Sequence, residues 1–245
     1  MPMIEASHVT KQFDNEPVLK GIDLSVDPGE ILGVLGPSGS GKTTLVKCLI
    51  GAIGLNQGHI EIKGTSIPNL QLMDSIGYMA QQDALYEDLS GLQNIVFFGR
   101  LKGLSKAEAL SQAHALLDLV DLSKDKNKKA AHYSGGMKRR LSLSAALIGN
   151  PDVIVLDEPT VGIDPVLREL FWAEFQRLKN LGKVIIVTTH VMDEADKCDR
   201  LILLRDGKVI QNGTPQMIRS LTKQGTIEAA FIEAADIDTK GGQQS

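Results

Sequence analysis

Hydrophobic and polar positions change their spacing along the chain, and each change marks an element. Residues 3–26 alternate: Ile4, Ala6 and His8 lead, then Val18-Leu19, Ile22, Leu24 and Val26 follow. Alternation is the mark of strands with one face buried. The polar stretch Lys11-Gln12-Phe13-Asp14-Asn15-Glu16-Pro17 breaks them as a turn, and Asp27-Pro28-Gly29-Glu30 makes a second turn. The run Ile31-Leu32-Gly33-Val34-Leu35 has no polar break, so it reads as a buried strand. Gly58-His59-Ile60-Glu61-Ile62-Lys63-Gly64 and Ser75-Ile76-Gly77-Tyr78-Met79 alternate again. From about Leu89 the period lengthens to about 3.6, as in helices. Ser105-Lys106-Ala107-Glu108 fits a capping box. It predicts a helix whose apolar stripe is Leu110, Ala113, Leu116, Leu117 and Val120.

Strands resume at Asp152-Val153-Ile154-Val155-Leu156-Asp157. A helix is predicted from Pro165, a strand at Val184-Ile185-Ile186-Val187-Thr188, and a short helix over residues 192–197. Two strands, over 201–205 and 208–211, are split by the turn Asp206-Gly207. Strands alternating with helices imply a largely parallel sheet, and the early hairpin an antiparallel part beside it. The expected fold class is therefore α/β: a mixed, largely parallel sheet, an N-terminal antiparallel β part and an inserted α-helical subdomain. One domain is expected over 1–235, with its core from 1–84 and 151–235 and the helical subdomain at 85–150. Residues 236–245, ending in Lys240-Gly241-Gly242-Gln243-Gln244-Ser245, read as a disordered tail.

Composition narrows the function classes. Of the 245 residues, 42% are hydrophobic and 23% charged, ordinary for a globular protein. The net charge of −4 argues against a broad nucleic-acid footprint. The run Lys124-Asp125-Lys126-Asn127-Lys128-Lys129 is interrupted by Asp125 and reads as a solvated loop. Two cysteines, Cys48 and Cys198, point to a reducing compartment, with both packed as small hydrophobes. No apolar run approaches the roughly 18–20 residues that cross a bilayer. Met1-Pro2-Met3-Ile4-Glu5 has no basic region followed by an apolar one. A cytoplasmic chain is expected, with any membrane crossing left to another chain.

The chemistry centres on Gly36-Pro37-Ser38-Gly39-Ser40-Gly41-Lys42-Thr43. A buried strand precedes it, and Thr44-Leu45-Val46-Lys47-Cys48-Leu49-Ile50 reads as the first turns of a helix. A strand, a glycine-rich loop and a helix start form a phosphate cradle, because successive N–H groups can turn inward. The positive end of the helix dipole adds to the pull on an anion. Lys42 can reach β- and γ-phosphate oxygens, and the Thr43 hydroxyl is placed to ligate Mg²⁺. Asp157 and Glu158 end a buried strand, and α/β sheets bind ligands at the carboxyl ends of strands. Asp157 is thus placed to hold Mg²⁺, and Glu158 to polarise an attacking water. Ser134-Gly135-Gly136 opens a further helix. Two glycines in a first turn weaken a helix but leave N–H groups uncovered, as a second anion site needs. One triphosphate should not need two such sites, and an economical explanation is that the second serves the nucleotide of another copy.

These motifs carry a resemblance. The Gly36–Thr43 loop, Tyr133-Ser134-Gly135-Gly136-Met137, Asp157-Glu158-Pro159-Thr160, Gly162-Ile163-Asp164 and Thr189-His190 stand in the order found in ATPase subunits of ABC transporters. The chain resembles that family over about residues 3–220. The resemblance implies a P-loop NTPase core that binds ATP and Mg²⁺. It implies two ATPase subunits facing head to tail, each ATP lying between one loop and the partner's Ser134-Gly135-Gly136. It leaves open whether the pair is a homodimer or two different ATPase subunits. A separate integral-membrane transporter subunit is implied, which places the chain peripherally on the inner face of the cell membrane.

Residue by residue, Phe13 is similar to the adenine-stacking position and Val18 to its neighbour under the nucleoside. Gly36, Pro37, Ser38, Gly39, Ser40, Gly41, Lys42, Thr43 and Thr44 would surround the phosphates. Gln81 resembles the glutamine that touches Mg²⁺ and the attacking water and couples the site to the membrane partner. His190 resembles the histidine that contacts the γ-phosphate, and Asp164 the aspartate of a loop crossing the dimer. Asp164 also makes a good N-cap before Pro165. The chain departs from the usual family residues at Tyr133, Met137, Phe13 and Ala80, none of which removes a charged group. Tyr-Ser-Gly-Gly-Met-Lys-Arg-Arg, Thr160-Val161-Gly162-Ile163-Asp164-Pro165 and the segment 226–233 resemble the ATPases of drug, antibiotic and lipid exporters. Related ATPases that clamp DNA or ribosomes usually carry a coiled-coil insertion or two cassettes, and neither is present in these 245 residues.

Overall fold

The computed structural model describes the backbone of residues 1–241 and the side chains of residues 1–234. In chain order the strands are β1 (Ile4–Phe13), β2 (Glu16–Val26), β3 (Ile31–Leu35), β4 (Gln57–Ile62), β5 (Thr65–Ser66), β6 (Ile76–Met79), β7 (Val153–Asp157), β8 (Val184–Thr189), β9 (Arg200–Arg205) and β10 (Lys208–Gly213). The helices are α1 (Lys42–Leu49), α2 (Gly91–Leu101), α3 (Lys106–Leu119), α4 (Gly135–Leu147), α5 (Pro165–Asn180), α6 (Met192–Ala195), α7 (Pro215–Ser220) and α8 (Ile227–Gly241). The fold is α/β, with an antiparallel N-terminal sheet and a mixed, largely parallel one. The chain forms two compact units, 1–68 with 186–245, and 69–185.

In the first unit, β1 and β2 pair antiparallel with Phe13 opposite Glu16. The turn is thus two residues, Asp14 and Asn15, and not the seven expected from Lys11 to Pro17. Both carry positive φ, 48° and 67°. Asp and Asn tolerate that conformation, and it matches the twist of a tight hairpin. The sheet continues in the order β2-β1-β4-β5. The second sheet of this unit runs β10-β9-β3-β8, with β3 parallel to β9 and β9 antiparallel to β10. All five residues of β3 are buried, as an unbroken apolar strand requires. Thr214 caps α7 and Pro215 fills its first position. The Thr226 hydroxyl accepts from the Ala229 N–H at the start of α8. Helix α8 runs through 236–241, where a disordered tail was expected; its start carries the cap of Thr226 and the alanines at 229, 230, 234 and 235. Residues 242–245 lie outside the described residues.

Cys48 and Cys198 are buried and free. Burial pushes the Cys48 thiol up to about 11, against a small opposing pull from Lys11. Burial pushes Cys198 further, and Glu194, Asp199 and Asp196 add to it. Neither thiol forms the reactive thiolate near neutral pH.

In the second unit β6 and β7 run parallel, Met79 beside Leu156. Capping boxes open α2, Ser90 with Gln93, and α3, Ser105 with Glu108. The buried face of α3 is Ala109, Ala113 and Leu117, followed by Val120. Ala113, Leu117 and Val120 of the expected stripe are buried and Leu116 half-buried, but Leu110 is 40% exposed and Ala109 takes the inward place instead. Close packing decides it: a Cβ on Gly99 of α2 would lie 3.0 Å from the Ala109 Cβ. Only a small residue lets the helices approach so closely. The lysine-rich loop is largely exposed, yet its backbone is tied down. The carbonyls of Lys126 and Lys128 accept from Leu92 and Gly91.

Helix α5 buries Phe171, Trp172, Phe175 and Leu178 at helical spacing. The rings of Trp172 and Phe175 meet edge to face at 5.4 Å. Trp172 is the chain's single tryptophan, so its fluorescence reports on this core. Phe175→Ala is expected to destabilise the fold by about 3–5 kcal/mol, and Leu170→Ala, at an exposed position, by about 0.5 kcal/mol or less. Denaturant unfolding followed at Trp172 checks both. Equal midpoints would place this helix outside the core.

Among the described residues, no helix is long and apolar enough to cross a membrane.

Candidate functional site

The glycine-rich loop joins the buried β3 to α1 inside the first unit. Its shape is fixed by what surrounds it. A Cβ on Gly36 would overlap the Leu204 carbonyl oxygen and lie 2.6 Å from Ser40 Oγ. Gly41 has φ 104°, and a Cβ there would lie 3.1 Å from the Val18 carbonyl. The loop therefore sits tight against β9 and β2. Gly41 caps α1 without a side-chain acceptor, and the first turn holds no acidic residue. A helix start without a side-chain cap and with an uncompensated dipole favours an anion there. Lys42 is 6% exposed, and its Nζ donates to the carbonyls of Gly36 at 2.8 Å and Pro37 at 3.0 Å. The ammonium is thus held against the loop's own backbone. Ser40 Oγ is buried with no partner among the described atoms. A buried hydroxyl without a partner is costly, and a phosphate oxygen would satisfy it. The loop thus fits a polyphosphate. Pro37, Ser38 and Gly39 are exposed, and Thr43 and Thr44 half-buried.

The structure brings Val18 to this loop through its carbonyl against Gly41. Phe13 lies beside the hairpin turn, 46% exposed, with Lys11 Nζ 4.9 Å from its ring centre. The ring remains open to a planar partner. His190 follows β8 and is exposed. Just before it, the buried Thr189 hydroxyl donates to Glu194 at 2.7 Å and accepts from the Val191 N–H at 3.0 Å. His190 therefore leaves from a fixed backbone.

In the second unit the parallel ladder of β6 and β7 ends at Met79 and Leu156. Two residues beyond each end come Gln81 and Glu158, with Gln81 Nε2 3.5 Å from Glu158 Oε2. Asp157 is fully buried, and Glu158 has φ 53°, unusual for a residue with a side chain. Ser134 caps α4, accepting from the Met137 N–H at 3.3 Å. A Cβ on Gly135 would meet nothing within 4 Å, and one on Gly136 would meet the Gly162 carbonyl at 3.3 Å. Asp164 caps α5, accepting from Val166 and Leu167 at 3.1 Å each. Tyr133 is buried, and its hydroxyl donates to the Asp125 carbonyl at 2.9 Å. That bond accounts for a tyrosine at this position: it anchors the lysine-rich loop beside α4.

The motif pattern does not reveal Arg139, Asp83 and Ser142. The guanidinium of Arg139 donates to the carbonyls of Ala80, Gln81, Asp157 and Glu158. Its neighbours point elsewhere: Lys138 pairs with Glu87 at 2.6 Å, and Arg140 donates to the Val120 and Asp121 carbonyls. Three adjacent basic residues look alike in sequence, and helical phase alone turns one inward.

The same unit carries a cavity of about 320 Å³. Met73, Met79, Leu85, Phe98 and Leu101 make its wall apolar, and Ala80 brings it next to Gln81. Tyr78 OH is buried there without a partner, and Lys102 donates to the Ile76 carbonyl at 2.9 Å. Burial pulls the Lys102 ammonium down to about 8, against an opposing effect of Asp74.

The family pattern described as ABC transporter matches residues 19–161, more than half of the chain, and the chain belongs to that family. It is an ATP-binding, ATP-hydrolysing subunit of an ABC transporter. Over 218 residues it is 39% identical to Nod factor export ATP-binding protein I of Burkholderia thailandensis, covering 88% of this chain and 72% of the relative. A solved ATP-binding subunit of an ABC transporter superposes with TM-score 0.88 at 26% identity, covering 95% of this chain and 99% of that one. A dimeric ATP-binding cassette in a post-hydrolysis state, bound to ADP and Pi, superposes with TM-score 0.81 at 28% identity, covering 86% and 98%. Proteins of this family pair with transmembrane subunits and dimerise.

Proposed function

We propose that the glycine-rich loop binds the triphosphate of ATP, and that Asp157, Glu158, Gln81 and His190 serve its hydrolysis. The observation that carries this reading is the loop itself: a helix start without a side-chain cap or an acidic residue, a lysine held against its own backbone and a buried hydroxyl without a partner. Lys42 and the loop N–H groups hold the β- and γ-phosphates, Ser38, Ser40 and Thr44 add hydroxyls, and Phe13 stacks on adenine above Val18. Thr43, Asp157 and Gln81 offer a hydroxyl, a carboxylate and an amide oxygen, a hard donor set that suits Mg²⁺. Bound there, Mg²⁺ would offset the charge on the phosphates. Glu158 takes up the proton of the attacking water, Gln81 orients that water, and His190 contacts the γ-phosphate.

A second copy, or a second ATPase subunit of the same family, completes the site with its Ser134-Gly135-Gly136 and Asp164. Support comes from the uncrowded Gly135 and from the dimeric form of a related cassette. ATP favours the closed pair because it binds that pair better than the open one, and hydrolysis removes the preference. The apolar cavity beside Ala80 receives a segment of a separate integral-membrane subunit, and the chain works peripherally on the cytoplasmic face. The name of the curated relatives supports export, and the membrane subunit selects the cargo.

Gly135→Ala separates a role across the pair from one within the chain. Alanine meets nothing within 4 Å in this chain and is the better helix former. The variant is expected to be as stable as the native chain, or more stable by up to about 1 kcal/mol. Its hydrolysis of Mg·ATP should nevertheless fall at least about tenfold, because the added methyl stands where the partner's phosphates must fit. Unchanged hydrolysis and unchanged ATP-driven dimerisation would overturn the paired site.

A further inference from the structure

Arg139 does work that the motif pattern leaves unassigned. Beyond Met79 and Leu156 the strands β6 and β7 have no further ladder pairs, so the peptides that follow need other partners to stay together. Arg139 supplies them. Its Nη1 donates to the carbonyls of Ala80 at 2.7 Å and Gln81 at 3.0 Å. Its Nη2 donates to the carbonyls of Asp157 and, at 2.6 Å, Glu158. One nitrogen serves the end of each strand. The guanidinium is 6% exposed, and Asp83 lies 3.5 Å from it. Asp83 accepts from Ser142 Oγ at 2.8 Å, one turn further along α4. Asp83, itself held by Ser142, thus adds a charged neighbour on the Nη1 side of the fork.

We propose that Arg139 is a positioning residue for hydrolysis: it holds the Gln81 and Glu158 backbones at one separation and keeps Glu158 in its left-handed conformation. The inference rests on the roles proposed above for Glu158 and Gln81. A non-glycine residue at φ 53° persists only where its surroundings over-determine it, and the bond to the Glu158 carbonyl does so. Only a planar fork can bridge two pairs of carbonyls. A lysine ammonium keeps the charge but has a single nitrogen. Ala80 and Ser142 also line the apolar cavity, so a segment seated there presses on the same bracket.

The test is steady-state hydrolysis of Mg·ATP by the full chain, with ATP affinity measured separately by equilibrium binding. Arg139→Gln is expected to lower kcat by about 10–10²-fold while the dissociation constant of ATP stays within about threefold, since every phosphate-holding residue is untouched. Arg139→Lys should recover little, which separates the fork from the charge. Asp83→Asn leaves the arginine in place and should lower kcat by about 3–10-fold, so it tests the bracket even if Arg139→Gln does not fold. A folded Arg139→Gln or an Asp83→Asn with kcat within twofold of native overturns the inference, as does loss of kcat matched by loss of affinity. Glu158→Gln serves as reference. Turnover surviving that change sinks the role of Glu158 itself, whereas turnover lost there but kept in Arg139→Gln sinks only the positioning role.

Discussion

Glu158→Gln is expected to lower ATP turnover by about 10²–10⁴-fold, the range for removing a general base, while ATP binds within a few-fold of native. The substitution keeps size and shape and removes the basic oxygen. The backbone stays as it is, because Arg139 binds the residue 158 carbonyl and not the side chain. Gln81 Nε2 also keeps an oxygen to face, since an amide can present one where the carboxylate stood 3.5 Å away. Binding and turnover therefore separate. With ATP retained and unbroken, the closed pair should accumulate, and size-exclusion chromatography with Mg·ATP should show more dimer than the native protein gives under the same conditions. Hydrolysis at the native rate would remove Glu158 from the chemistry.

Lys42→Ala is expected to weaken ATP binding itself by about 10²-fold, or about 2.7 kcal/mol. The ammonium supplies charge-assisted hydrogen bonds to phosphate, each worth about 1.5–3 kcal/mol. The native lysine is already inside the loop, donating to Gly36 and Pro37, so its side chain needs little ordering to meet a ligand. Its removal also takes the donor from two carbonyls, and the free chain should lose about 1 kcal/mol of stability. Calorimetric titration with ATP measures the affinity, and thermal unfolding the stability. Native affinity in Lys42→Ala would break the assignment of this loop to the phosphates.

Much of this site is legible in the sequence because its parts are local. A strand, eight loop residues and a helix start are contiguous, and their geometry follows from glycine freedom and helix polarity. Asp157 and Glu158 are legible for a similar reason: an unbroken apolar strand before them fixes which end they occupy. Ser90 and Ser105 reveal helix starts because a capping box is written in four consecutive residues. The Arg139 bracket is different. It joins residues about 20 and 60 positions apart, and nothing local distinguishes Arg139 from Lys138 or Arg140. The phase of α3 is also non-local. Alanines face the core and Leu110 faces water because Gly99 on another helix admits nothing larger. At the first hairpin, polar residues from Lys11 to Pro17 look like turn formers, yet pairing claims all but Asp14 and Asn15. An edge of polar side chains does not stop a backbone from forming a ladder.

The two native thiols have a practical consequence. Both are enclosed, and neither ionises readily, so maleimide and methanethiosulfonate reagents should pass them by. A single cysteine introduced at an exposed position, such as Val161, would then be the sole attachment point for a spin label or dye. Distances between two labelled molecules could be followed through the catalytic cycle with the native cysteines left in place.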